Sequence, residues 1–178
     1  MSDTGEGGSQ GPPPSGGMIQ CFGCGASVPD VEGPVHPYMD SAPGCWAAFG
    51  DVMAMEFGDF RCPECHRLTV DTYAVQHPGT PSRKTIQSVG GHLISLHLML
   101  ERGIDSVTAT RALRRAVTRA SMFSWLTPPS SQGPLTILDV RAVKDLDEHQ
   151  LLVRRWAEAT WEAWAEHHET VRAWAVLP

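Results

Sequence analysis

The sequence predicts an all-α domain of about five helices in a compact bundle, with a loop-rich, zinc-knuckle-like N-terminal cap. Three observations lead there. Apolar residues recur at helical spacing through most of the chain beyond Pro43. Pro and Gly crowd the stretch before it, where Pro29, Pro34, Pro37 and Pro43 leave no room for a regular element. The chain also carries a density of thiols and imidazoles that suits a metal better than a disulfide framework.

A chain of 178 residues is long enough to bury a core without covalent staples. A formal charge of −6, with no Lys/Arg run, leaves no footprint for nucleic acid or an anionic membrane. The apolar run from Leu93 to Leu100 is too short to span a bilayer. The N-terminus lacks the basic-then-apolar layout of a secretory signal, so a cytoplasmic protein is expected. Five cysteines are an odd number, and four of them fall in two Cys-x-x-Cys pairs. In a reducing compartment that spacing means a metal site or a redox pair, and metal is favoured.

Residues 1–17 are Gly/Ser/Pro-rich and are expected to form a disordered tail, leaving 18–178 as a single helical metal-binding domain. Cys21-Phe22-Gly23-Cys24-Gly25 suits a zinc knuckle, since Gly25 lets backbone amides turn toward sulfur. Val28 to Gly44 reads as a loop, in which His36 fits a surface position as well as a ligand role. Ser41-Ala42-Pro43-Gly44 introduces a first helix running through about Phe57, with Trp46, Phe49, Val52, Met53 and Phe57 at helical spacing. Cys45 opens it and reads first as a small buried residue, although a helix-start thiol can also be reactive.

The central helix, Cys62 to His77, stops at Pro78-Gly79. It carries Cys62 and Cys65 at its start and places His66, Val70, Tyr73 and His77 on one stripe. Ser82 is a plausible N-cap for a third helix reaching Glu101 or Arg102, and Gly103 ends it. Gly90-Gly91 inside that helix costs about 1 kcal/mol each relative to alanine, which implies close approach by another helix or a ligand. His97 reads as a satisfied core histidine; His92 is balanced between packing and ligation.

A fourth helix is expected from Val107 to Ser121, with Arg111, Arg114, Arg115 and Arg119 on a solvated face. Leu135 to Val140 reads as a short strand or an extended lead-in capped by Asp139. One long amphipathic helix then runs from Leu146 to Val176, its tryptophans supplying core packing. Of the adjacent pair His167 and His168, only one can face a given metal, and His168 is the better placed.

These residues together resemble a bacterial family catalogued only as a domain of unknown function. The resemblance rests on Cys21-Phe22-Gly23-Cys24-Gly25, Pro43-Gly44-Cys45-Trp46, the stretch His66 to Gly79, Gln87-Ser88-Val89, His92-Leu93 and the Trp-rich end from Trp156 to Trp174. It implies that His66, Asp71, Tyr73, Gln76, His77 and His92 share a site, and it supplies no activity.

Three functions follow from this reading. In the first, Cys21, Cys24, Cys62 and Cys65 bind a structural zinc as two knuckles, with Cys21, Cys24 and His66 or His77 as a mixed rival set. In the second, His66, His77, His92 and His168 hold a catalytic metal in a histidine-lined pocket. Asp71 then orients or acts as base (Glu64 is an alternative), Tyr73 and Gln76 position a small-molecule substrate, and no nucleic acid or membrane takes part. In the third, the cysteines form a metal- or thiol-sensing module. The sequence sets no oligomeric state.

Overall fold

The computed structural model describes residues 16–175 except 60, 119, 120 and 122. The expected tail lies outside the described residues but for its last two, and so does Arg119. Among the described residues the fold is mostly helical, with seven α-helices and one two-stranded sheet. β1 (Met18–Gln20) and β2 (Ser27–Pro29) pair antiparallel, Ile19 opposite Val28. This hairpin is shorter than any alternating pattern could announce, and it replaces part of the predicted loop.

Pro at the first turn starts both α1 (Pro43–Gly58) and α2 (Pro63–Gln76), where its missing N–H costs nothing. α3 (Arg83–Leu100) begins at Ser82 with a capping box: the Ser82 hydroxyl accepts from Thr85 N–H, and the Thr85 side chain accepts from Ser82 N–H. Gly103 after it has φ 60°. Gly90 lets Phe123 lie against the helix, since a Cβ there would sit 2.9 Å from its ring. α4 is Ser106–Val117.

The Leu135–Val140 expectation is corrected. Residues Ile137–Ala142 form a helix, α5, because Thr136 and Asp139 make a second capping box that outweighs the β-branched composition. The single C-terminal helix is also corrected: α6 (Leu146–Ala163) ends at Trp164, a 3₁₀ turn covers Ala165–His167, and α7 covers His168–Ala175. His168 explains the break. Its Nε2–H donates to the Trp161 carbonyl at 2.9 Å while its ring stacks on the Trp161 indole, 3.8 Å between centroids. The imidazole thus adds a second donor to a carbonyl that already accepts from the Trp164 N–H at 3.0 Å.

α2 lies at the centre, packed against α1, α3, α4 and α6, and α7 closes over α3. Leu93, Leu96, Val153, Trp156 and Trp164 are fully buried, so the tryptophans are core, as their spacing predicts. One side of α1 is reversed from the sequence expectation. Phe57 is 77% exposed, whereas Glu56 beside it is 3% exposed, held inward by polar partners described below. No helix among the described residues is long and apolar enough to cross a membrane.

Candidate metal centre

The hairpin turn, the start of α1 and the end of α2 converge on one point. Cys21 N–H donates to the Ala26 carbonyl and Gly25 N–H to the Cys21 carbonyl, with Gly25 at φ 74°, so the turn projects both Cys21 and Cys24 inward. Cys45 comes from the first turn of α1. His77 is the C-cap of α2. The ligand atoms of Cys21, Cys24, Cys45 and His77 all lie within 4.8 Å of one another, and only Cys24 is more than marginally exposed. This group can hold a metal ion.

The neighbours fix the ligands in place. His77 Nδ1–H donates to the Tyr73 carbonyl at 2.7 Å, because a carbonyl can only accept; Nε2 is therefore the nitrogen left for the cluster. It lies 3.4 Å from Cys21 Sγ and 3.5 Å from Cys45 Sγ. Tyr73 stacks on His77 at 4.0 Å and its hydroxyl donates to Cys45 Sγ at 3.6 Å. Ala42 N–H donates to Cys21 Sγ at 3.5 Å.

Electrostatically the thiols divide the charge. Hydrogen bonds from the Cys24 and Cys45 thiols, then the His77 contact, hold Cys21 far below the ordinary thiol range. Cys45 is pushed far up, first by its hydrogen bonds with Cys21 and Cys24 and then by burial. Burial opposes an imidazolium at His77, but the Cys21 and Cys24 contacts outweigh it and raise His77 to about 9. These shifts favour a thiolate at Cys21 beside a protonated imidazole at His77.

The other predicted ligands lie elsewhere. Among the described residues, Cys62 and Cys65 do not join Cys21 and Cys24, because α2 is a continuous helix with its cysteines at one end and His77 at the other. Nor do His66, His92 and His168 gather around His77. His66 Nδ1–H donates to Glu56 at 3.2 Å, His92 Nδ1–H donates to Asp71 at 2.7 Å, and His168 caps α6. Glu64 caps α4, accepting from the N–H and hydroxyl of Ser106.

Of the three catalytic candidates, Asp71 is fully buried and ion-paired with Arg67, whose Nε and Nη2 donate at 2.8 and 2.6 Å. His92, which Asp71 orients, lines a cleft of about 380 Å³ with Tyr38, Lys84, Gln87 and Ser88. Tyr73 serves the cysteine cluster. Gln76 is a structural tie: its amide N–H groups face the carbonyls of Gln132 and Leu135, each at 2.9 Å, and the Thr160 hydroxyl at 3.1 Å.

Sequence reasoning passed over Cys45 as a ligand, and Glu56 and His149 altogether. The signal for Cys45 was its place in the first helical turn; Glu56 interrupts an apolar stripe, and His149 carries no local mark.

One family model, described as a family of unknown function (DUF5946), matches residues 19–165. No curated protein and no solved structure matches the chain.

Proposed function

The chain belongs to the DUF5946 family, whose function is unknown, and we propose from its own geometry that it is a zinc protein. In this reading Cys21, Cys24, Cys45 and His77 hold one ion in a closed structural site. The observation that carries it is the fit of the spacings. Zinc about 2.3 Å from sulfur and about 2.0 Å from nitrogen, in a tetrahedron, needs about 3.8 Å between sulfurs and about 3.5 Å from sulfur to nitrogen. Cys24 and Cys45 stand 3.8 Å apart, and the two sulfur–nitrogen distances are 3.4 and 3.5 Å. Three soft thiolates and an imidazole suit zinc.

Four protein ligands leave no position for substrate, so the role is architectural. The ion ties the hairpin and the start of α1 to the end of α2, and the turn at Cys21 to Gly25 acts as the knuckle. Five cysteines, all free, suit a reducing compartment such as the cytoplasm.

The test is metal content per chain, by elemental analysis of untagged protein. The unmodified protein and Cys62→Ser are expected to keep an ion that Cys24→Ser, Cys45→Ser and His77→Ala each lose. Retention of that ion by both Cys45→Ser and His77→Ala would overturn the assignment.

A further inference from the structure

At the other end of α2 from the cysteine–histidine cluster lies a second group of ligating atoms. Glu56 comes from the end of α1, Cys65 from the first turn of α2 and His149 from the first turn of α6. Their carboxylate, thiol and imidazole atoms lie within 4.8 Å of one another, with exposures of 3%, 5% and 0%. We propose that these three residues form a second metal centre, for a divalent transition ion of borderline softness such as zinc.

The carboxylate is held as a ligand would be. Thr69 donates its hydroxyl to Glu56 Oε1 at 2.7 Å and His66 Nδ1–H donates to Oε2 at 3.2 Å, which fixes the plane of the group. His149 Nε2 points into the cluster, 2.8 Å from Oε1, while its Nδ1 has no partner. In the absence of an ion, a proton bridges Nε2 and Oε1. Packing alone does not call for this set. A carboxylate and an imidazole taken out of water cost more than aliphatic side chains of the same volume. A cation ligated by Glu56 and Cys65 offsets the desolvation of both.

This centre differs from the first in being incomplete. It has three protein ligands, of sulfur, nitrogen and oxygen, the form in which zinc keeps a position for water or a substrate. Cys65 also lines a cleft of about 520 Å³ between α2 and α6, whose walls include Leu68, Leu151, Gln150, Arg61 and Arg154. The fourth position is therefore open to water or a small molecule.

The full chain is dialysed against excess zinc, then against metal-free buffer, and its metal counted. Two ions per chain are expected, falling to one in Cys65→Ser and in His149→Gln; in Cys24→Ser the remaining ion is the second one. One ion in the unmodified chain, or two in both Cys65→Ser and His149→Gln, overturns the proposal. Should those variants fail to fold, cobalt(II) is added to unmodified protein whose first site already holds zinc. A near-ultraviolet thiolate-to-cobalt band supports ligation by Cys65, and its absence overturns it. Two ions retained in both Cys45→Ser and His77→Ala, with one lost in Cys65→Ser and in His149→Gln, would refute the structural-zinc reading alone.

Discussion

A Cβ at Gly23 would lie 2.6 Å from His77 Cδ2, 2.6 Å from the Asp40 carbonyl oxygen and 2.8 Å from that of Gln76. Two of those atoms are backbone and the third belongs to a ring locked by its own hydrogen bond, so nothing nearby can yield cheaply. Gly23→Ala is therefore expected to push the turn off α2, costing about 1–3 kcal/mol as an overpacked site does, and to weaken zinc binding by spreading the ligands. Denaturant unfolding of the zinc-loaded protein, with a competing chelator titrated alongside, measures both. Gly50→Ala is the control: it meets nothing within 4 Å in the middle of α1 and should stabilise by roughly 0.5–1 kcal/mol. An alanine at residue 23 without effect on either quantity would mean that the turn and His77 are not in register. Residue chemistry also explains what the sequence disclosed at this scale. Cys21 and Cys24 announce themselves by spacing, whereas Cys45 stands alone, 21 residues beyond its sulfur partner Cys24, and only the fold supplies its neighbours.

Helix α7 is held to α3 by charge at one residue, Glu101. Arg172 donates to both of its oxygens, at 3.0 Å from Nε and 2.6 Å from Nη2, Trp161 Nε1–H donates at 3.1 Å, and His97 Nδ1–H at 2.9 Å. The Arg172 hydrogen bonds outweigh the burial that opposes them and, with Trp161 and His97, hold Glu101 at about 2 against an ordinary 4.5. A depressed carboxylate stabilises the fold fully above its unfolded value and loses that contribution as pH falls through the folded one. The stability difference between the unmodified protein and Glu101→Gln is thus expected to be constant above about pH 4.5 and to shrink toward pH 2, read from tryptophan fluorescence of unfolding. A difference that does not change over that interval would show that the ion pair adds nothing to the docking of α7. The helix boundaries at this scale were legible wherever a cap or a Pro-Gly stop marked them, as at Ser82 and Pro78-Gly79. The break at Trp164 carries neither, since it is made by a stacked histidine, and α5 carries strand-like residues behind a capping box.

Across the whole molecule the two kinds of cohesion are segregated. α3, α6 and α7 share an apolar core around Leu93, Leu96, Trp156 and Trp164 that owes nothing to a metal. The hairpin and the loop to Ala42 contribute little apolar area: Val28 and Ala42 are their fully buried hydrophobics, while Met18 and Phe22 are exposed at 61% and 67%. That region has few apolar contacts to offset the entropy of ordering its backbone, so its hold on the helices depends on the ligands at Cys21 and Cys24. An all-helical architecture was readable from the sequence because the helical core follows local periodicity. The site was readable only in part, because Cys45, Glu56 and His149 meet their partners through tertiary packing. The consequence is a two-part response to chelation. Removal of zinc is expected to abolish hydrogen-exchange protection at residues 18–29, beginning with the Cys21 amide, and to leave the amides of α3 and α6 protected. Zinc binding requires deprotonated ligands, so the same loss should appear on acidification before the helical core melts. Uniform loss of protection across all helices on chelation would show instead that the ion supports the entire core, and undiminished protection of the hairpin would remove the structural role from zinc.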